Sequence, residues 1–185
     1  MNNDFFSGRK GLLPKADYYN NYYGKNNWNS STIISMSIGQ GELLITPIQL
    51  ANVSAIIANR GFFYTPHIIK KTENELYIDS NFTNKKFCSI NKEHFKYVID
   101  GMFDVVNSKN GTAYNPEISR LNICGKTGTA QNPHGDDHSI YIAFAPKNDP
   151  EIAIAVFIEN AGWGSKWAAP IGNNFIQKYF ELKDK

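Results

Sequence analysis

Cysteine is scarce: only Cys88 and Cys124 occur in 185 residues. Two thiols cannot build a disulfide-dense scaffold or a four-cysteine zinc site. Neither sign of charge dominates. Nineteen Lys and Arg against seventeen Asp and Glu leave a net charge of +2, which argues against a nucleic-acid binder working through bulk positive charge. No apolar run approaches the roughly 18 residues that span a bilayer. The opening residues, Met1-Asn2-Asn3-Asp4-Phe5-Phe6, lack the basic and apolar regions of a signal peptide. The expectation is a soluble, globular chain carrying no address of its own. What is present is an apolar fraction of 42 %, enough for a core, in a length that suits about one domain.

The first ~30 residues read as an irregular segment. Tyr18, Tyr19, Tyr22, Tyr23 and Trp28 are interleaved with asparagines, and neither helical nor strand periodicity fits. Such rings could stack on bases or sugars or lie over a core, and the second reading is preferred. Ser37-Ile-Gly-Gln-Gly-Glu42 is a glycine turn. A helix follows, with Thr46 as N-cap, Pro47 at the first position and Gly61 as stop. Ile48 to Ala58 is apolar nearly all round, which predicts burial.

Phe62 to Lys71 reads as extended, and residues 72–86 as a polar loop or exposed hairpin. Phe95, Val98, Ile99, Met102, Phe103 and Val106 form one helical stripe over 91–107, ended by Asn107 to Gly111. Leu121 to Ala130, Ser139 to Ala145 and Glu151 to Ile158 are strand candidates. The turn Pro146 to Pro150 favours antiparallel pairing. The almost wholly apolar last strand implies a sheet covered on both faces. Ala168, Ile171, Gly172, Phe175, Ile176 and Tyr179 are the stripe of a final helix. The fold class is therefore α+β, an antiparallel sheet packed with helices.

The chemistry concentrates in Gly125-Lys-Thr-Gly-Thr-Ala130. In a regular pleat Lys126 and Gly128 face one side and Thr127 and Thr129 the other. A glycine there lets a ligand approach the backbone, and the ammonium, hydroxyls and free N–H groups suit an anionic substrate. K-T-G is one of three signatures of penicillin-binding proteins and class A β-lactamases. By itself it is also compatible with an ordinary edge strand.

Its context carries more. Gly11-Leu-Leu-Pro14, Ser37-Ile-Gly-Gln-Gly-Glu42, Thr46-Pro-Ile-Gln-Leu-Ala51, Ala58-Asn-Arg-Gly61, Tyr64-Thr-Pro-His67, Gly111-Thr-Ala113, Cys124-Gly-Lys-Thr-Gly-Thr-Ala130, His138 to Pro146 and Gly162-Trp163 to Pro170 occur in this order. On these stretches the chain resembles the transpeptidase domain of class B penicillin-binding proteins of the penicillin-binding protein 2 group, from about Gly11 to near the C-terminus.

The resemblance implies a serine acyltransferase that cross-links peptidoglycan stem peptides ending in D-Ala-D-Ala and is trapped by β-lactams. It calls for no metal and no cofactor. Lys126 and Thr129 would be the catalytic residues, and Lys126, Thr127, Gly128 and Thr129 the substrate-binding ones. Lys126 would join the proton-shuttling network and attract the substrate carboxylate. Thr127 and Thr129 would hydrogen-bond that carboxylate, and the Thr129 N–H would be one of two oxyanion donors. Gly128 would keep the wall flat.

The family also needs a nucleophilic Ser-x-x-Lys and then a Ser-x-Asn, both well before K-T-G. Ser7-Gly-Arg-Lys10 matches in letters, but Gly8, Gly11 and Pro14 oppose the helix required. Ser89-Ile-Asn-Lys92, Ser89-Ile-Asn91 and Ser108-Lys-Asn110 lie at the ends of the 91–107 helix, where Ser89 or Asn91 reads as an N-cap. No nucleophile is therefore assigned. The expectation is a partial transpeptidase domain over 1–185, with 1–36 an entry segment and 37–185 a core of the family's kind. The nucleophile-bearing half, the pedestal and an N-terminal membrane anchor would lie outside it. The parent enzyme would stand on the outer face of the cytoplasmic membrane, with elongation-machinery proteins as partners and no nucleic acid. The alternatives are a β-lactamase-like hydrolase on the same fold, or a non-catalytic fragment or interaction module.

Three other groups have two readings each, and a fourth has one. His134, Asp136, Asp137 and His138 could bind a metal, or form a polar loop at the cleft mouth, the reading preferred. Cys124 could be a reactive thiol, but a small buried hydrophobe is preferred. Trp163 and Trp167 either shape the acceptor side of the cleft or pack under the final helix. His67 is read as structural.

Overall fold

Lys15 holds the backbone extended at φ −116°, and the chain turns helical at the next residue to form α1 (Ala16–Tyr23). The tyrosines select this helix although they make no apolar stripe. Tyr18 stacks on Tyr22 and Tyr19 on Tyr23, ring centroids 6.1 and 6.2 Å apart, which is i,i+4 pairing on a helix surface. Tyr19 is buried, and Trp28 packs on its ring and donates Nε1–H to Asn20 Oδ1 at 2.9 Å. Gly24, at φ +91°, ends the helix. The irregular segment expected here is thus helical, because ring-on-ring packing replaces the missing periodicity. A one-turn helix, α2 (Ser30–Ile33), is capped by Asn29. Leu12 and Leu44 exchange backbone hydrogen bonds of 2.7 and 2.9 Å. The computed structural model describes residues 10–68 and 80–183, which form two compact units divided between Thr46 and Pro47.

In the second unit α3 (Pro47–Ala58) starts on its proline, and Gly61, at φ +106°, follows its end. After β1 (Phe62–Phe63) come α4 (Ser80–Thr83) and β2 (Lys86–Phe87), and the two strands pair antiparallel. The expected loop or hairpin over 72–86 is thus a short helix and strand where described. Residues 69–79, including Ile69 to Lys71 of the expected extended run, lie outside the described residues, as do Ser7 to Arg9. A single 3-10 turn over Lys92–His94 leads into α5 (Phe95–Asn107). Asn91 precedes that turn but makes no side-chain cap. A second 3-10 turn, Pro116–Leu121, is capped by Asn115 and closed by Asn122 at φ +48°. It delays the next strand beyond its expected start at Leu121.

That strand, β3 (Cys124–Ala130), pairs antiparallel with β4 (His138–Ala145), which pairs antiparallel with β5 (Ile152–Ile158). The order is β3-β4-β5. One sheet face is covered by α6 (Ala168–Lys183) and the other by α3 and α5. Tyr141, Ala143 and Ala145 enter the α6-side core, while Phe144 and Cys124 enter the α3/α5-side core. The cover on both faces explains the nearly continuous apolar strands.

The Tyr141 ring shows how tightly the α6 layer fits. A Cβ on Gly125 would come within 2.1 Å of its hydroxyl, and one on Gly172 within 2.6 Å of its ring. Two glycines, one from β3 and one from α6, therefore make room for one tyrosine. Its buried hydroxyl donates to Asn173 Oδ1 at 2.8 Å. On the other face Ser54 of α3, also buried, donates to the Ala143 carbonyl at 2.9 Å.

Two burial expectations change. In α3 only Ser54 and Ala58 are buried, while Ile48 and Val53 are exposed, because the sheet meets one side of the helix only. In α6 the buried residues are Ala168, Ala169, Gly172, Asn173 and Ile176, leaving Ile171 and Phe175 exposed. The small residues turn inward to accommodate Tyr141, so the buried face is rotated from the stripe of largest side chains. Both outer strand edges, of β3 and of β5, take no strand among the described residues.

Candidate active site

The lysine, threonine and glycine triplet lies in the middle of β3, on an open sheet edge. Register fixes the faces. Lys126 is opposite Ile142 and Gly128 opposite Ile140, whereas Thr127 is opposite Tyr141 and Thr129 opposite Ser139. Strand alternation therefore places Lys126 and Gly128 on one face and Thr127 and Thr129 on the other. The Lys126 side chain is exposed, and its ammonium donates to the Thr127 carbonyl at 2.7 Å.

Both threonine hydroxyls have a fixed neighbour. Thr127 Oγ1 lies 2.8 Å from Thr112 Oγ1. Thr112 is held by a tight turn after α5, in which Ala113 N–H donates to the Val105 carbonyl and Asn115 N–H to that of Val106. Gly111 permits that turn, since a Cβ there would lie 2.2 Å from the Val105 carbonyl oxygen. Thr129 Oγ1 accepts from Gly164 N–H at 3.3 Å. Gly164 is pressed onto β3, where a Cβ would reach the Gly128 carbonyl oxygen at 2.2 Å. Ser139, the cross-strand partner of Thr129, donates to the Trp163 carbonyl and accepts from Ala168 N–H. The 163–168 connection is thus tied to the sheet directly behind Thr129.

Gly128 itself is under no such compulsion. A Cβ on it would touch only Ile140, at 3.4 Å, ordinary packing that another residue could tolerate. By contrast, the glycine at 125 is required by the fold.

The remaining candidates sort by contact. Cys124 lies on the Lys126 face but is fully buried, and burial pushes its thiol up to about 12. This is the small buried hydrophobe rather than a nucleophile. Asp137 Oδ1 accepts from Asn132 N–H and His138 Nδ1 from Asn160 N–H, so these groups brace the loop after β3. No cluster of three His, Cys, Asp or Glu fit to hold a metal occurs among the described residues. Trp163 is 72 % and Trp167 47 % exposed, so neither is buried under α6. His67 Nδ1 lies 2.9 Å from the Thr65 carbonyl and its ring packs on Phe82. Ser89 is exposed between β2 and the 3-10 turn, while Ser108 caps the end of α5 and bonds Asp104. Neither serine hydrogen-bonds the Lys126 ammonium.

Sequence reasoning missed Thr112, Ser139 and Gly164. Gly111-Thr-Ala113 and Gly162-Trp163 were visible as stretches, but nothing in their spacing said that they close on β3.

The site is thus an α+β layer with K-T-G on an edge strand, buttressed on its threonine side by two connections. A family model described as the penicillin binding protein transpeptidase domain matches residues 11–177, and the chain belongs to that family. It is 31 % identical over 196 residues to the peptidoglycan D,D-transpeptidase MrdA of Haemophilus influenzae, covering 92 % of this chain and 29 % of that protein. Against MrdA of Acinetobacter baumannii the identity is 33 % over 183 residues, 89 % of this chain and 27 % of the relative. Among solved structures, PBP2 of Pseudomonas aeruginosa in complex with WCK 5153 superposes with a TM-score of 0.79 at 34 % identity, over 91 % of this chain and 36 % of that one. The complex between PBP2 and MreC from Helicobacter pylori gives 0.75 at 28 % identity, over 93 % and 31 %. The chain spans under a third of the length of the curated relatives it matches. No helix among the described residues is long and apolar enough to cross a membrane.

Proposed function

We propose that this chain supplies the K-T-G wall of a peptidoglycan D,D-transpeptidase, with the attacking serine contributed from outside these 185 residues. The observation that carries the reading is an exposed lysine on an open strand edge, beside two threonine hydroxyls fixed from behind.

In the proposed reaction a serine Oγ attacks the penultimate D-alanyl carbonyl of a stem peptide. Its proton passes to the departing D-alanine amine, and an amine of a neighbouring strand then displaces the serine from the acyl-enzyme. Lys126 takes part in the polar network carrying that proton and attracts the terminal carboxylate, and Thr127 and Thr129 hydrogen-bond that carboxylate. The Thr129 N–H is one of two oxyanion donors, and losing one such donor costs about 10²–10³ in rate. Gly128 is the place where a ligand backbone can come close, which fits a glycine that this chain's own packing does not demand.

β-Lactams presenting the same carboxylate are inhibitors by this reading. The site of action is the outer face of the cytoplasmic membrane, in cell-wall elongation, with MreC-type proteins as candidate partners. The named relatives are transpeptidases, which favours this reading over hydrolysis.

The test has two parts. Amide shifts of the chain are followed while a peptide ending in D-Ala-D-Ala is added. Shifts concentrated at 125–130, and lost in Lys126→Ala or with a C-terminally amidated peptide, support the wall. Their absence, or a map centred elsewhere, refutes it. Intact mass after incubation with benzylpenicillin should show no adduct, and a stoichiometric adduct on a serine of this chain would refute an external nucleophile.

A further inference from the structure

A second concavity of the 47–183 unit contains none of the residues 124–130. It lies where the α3 C-terminus, the start of α5 and the β4–β5 turn meet. One compartment, of about 950 Å³, is lined by Arg60, Lys92, Lys96 and Lys147 together with Glu93 and Asp100. An adjoining one, of about 570 Å³, shares Arg60, Asn91 and Lys92 and adds Phe87, Ile90 and one carboxylate, Asp149. The two adjoin through those three shared residues as a groove, with four cations against two carboxylates at one end and the exposed Phe87 and Ile90 at the other.

Part of this charge is structural. Lys147 pairs with Asp100 at 2.7 Å and lies over the Phe103 ring. The hydrogen bond from Lys147 holds the Asp100 carboxyl below its usual range. Arg60, in the left-handed region at φ +55°, donates to the Ala58 and Lys147 carbonyls. Those bonds explain its position but leave its charge without a carboxylate partner. Lys92 and Lys96, four residues apart on the approach to α5, likewise make no ion pair among the described residues. Glu93 lies 3.9 Å from His94, an ion pair only with that ring protonated, and shares the lining with the cations. Three cations without an ion pair thus line one end, Lys96 also acting on the nearby Asp100 carboxylate through space. At the other, Phe87 is 73 % and Ile90 57 % exposed, and the β1–β2 pairing sets Phe87 opposite Phe62.

We propose that this groove docks an extended acidic segment of a partner polypeptide, with carboxylates on Arg60, Lys92 and Lys96 and an apolar side chain on Phe87 and Ile90. Charge complementarity selects the acidic half, and the exposed aromatic supplies the anchor that polypeptide interfaces favour. A small inorganic anion would use only the cationic compartment. An anionic membrane surface is disfavoured because the cations line a hollow rather than a projecting face.

The experiment is a fluorescence-anisotropy titration of the 185-residue chain. The probe is a labelled peptide, Asp-Glu-Asp-Gly-Phe-Leu, and the control is Asn-Gln-Asn-Gly-Phe-Leu. Sedimentation with phosphatidylglycerol vesicles and competition by inorganic pyrophosphate complete it. The expected result is binding of the acidic probe alone, weakening as salt rises. Lys92→Glu/Lys96→Glu should weaken it by about tenfold or more, and Phe87→Ser by about threefold or more. Both variants change exposed residues, and an unchanged thermal melt confirms their fold. No binding of the acidic probe, equal binding of the control, or insensitivity to either variant overturns the proposal. So does full displacement by pyrophosphate at equal concentration, which marks a simple anion site. Vesicle binding tighter than peptide binding overturns it in favour of a membrane surface.

Discussion

Thr112 and Thr127 face each other hydroxyl to hydroxyl at 2.8 Å, although fifteen residues and a 3-10 turn separate them in the chain. If Thr127 donates to a ligand carboxylate, its oxygen is left to accept from Thr112. The outer hydroxyl then sets the direction of the inner one. Thr112→Val should weaken the D-Ala-D-Ala peptide in the amide-shift titration by about three- to tenfold, the worth of one hydrogen bond of about 0.5–1.5 kcal/mol. Thr112→Ser should restore it, and the amidated peptide should show no difference between the two. A loss that Thr112→Ser does not restore would reduce Thr112 to a packing residue.

Gly164→Ala tests the other connection. The new methyl would collide with the Gly128 carbonyl oxygen at 2.2 Å and that of Ile140 at 2.5 Å, both on strands that cannot step aside. Overpacking of this kind costs about 1–3 kcal/mol. Chemical denaturation should show that loss, and the amide of Thr129 should shift as the loop lifts away. Gly128→Ala meets only Ile140 and should leave stability nearly unchanged while impairing the peptide titration.

Tyr141→Phe keeps the ring between its two glycines but strands the buried Asn173 side chain. An unpaired buried polar group costs about 1–3 kcal/mol. Asn173→Ala in the same background should recover part of the loss in a double-mutant cycle, and strict additivity would contradict the pairing.

Cys124 offers a pH test. Burial holds its folded thiol near 12, above the value of about 8.5 of an exposed one. A raised folded value means that its contribution to stability is complete below the unfolded value. The contribution declines as pH climbs from there toward 12. In Cys88→Ala, Ellman's reagent at pH 8 should leave Cys124 unmodified until denaturant is added. Rapid labelling of the native protein would show that the α3/α5 core opens readily.

The three-stranded meander, α3 and α5 were legible because their signals are local: a proline start, a stripe of large side chains, a turn flanked by prolines. K-T-G was legible as a motif, and its facial alternation followed from the pleat. Three things were hidden, each for its own reason. The helix at Ala16–Tyr23 is stabilised by rings on rings, which no apolar pattern reports. The orientation of α6 is decided by Tyr141, whose ring needs Gly172 and not the larger Ile171 or Phe175 against it. The supports of Thr127 and Thr129 come from Thr112 and Gly164, whose contacts exist only once α5 and α6 have docked. The burial expected of α3 failed because composition records what a helix can bury, not how much of it a sheet will meet.

The outer rim of β5 has one last implication. From Ile152 to Ile158 it offers seven apolar residues with no lysine, proline or bulge among them, the devices by which natural sheets deter edge-to-edge growth. Handling of the purified chain will therefore be governed by that unguarded rim. Dilute, cold preparations should stay dispersed longest, and a single lysine in place of Ala155 should extend their lifetime.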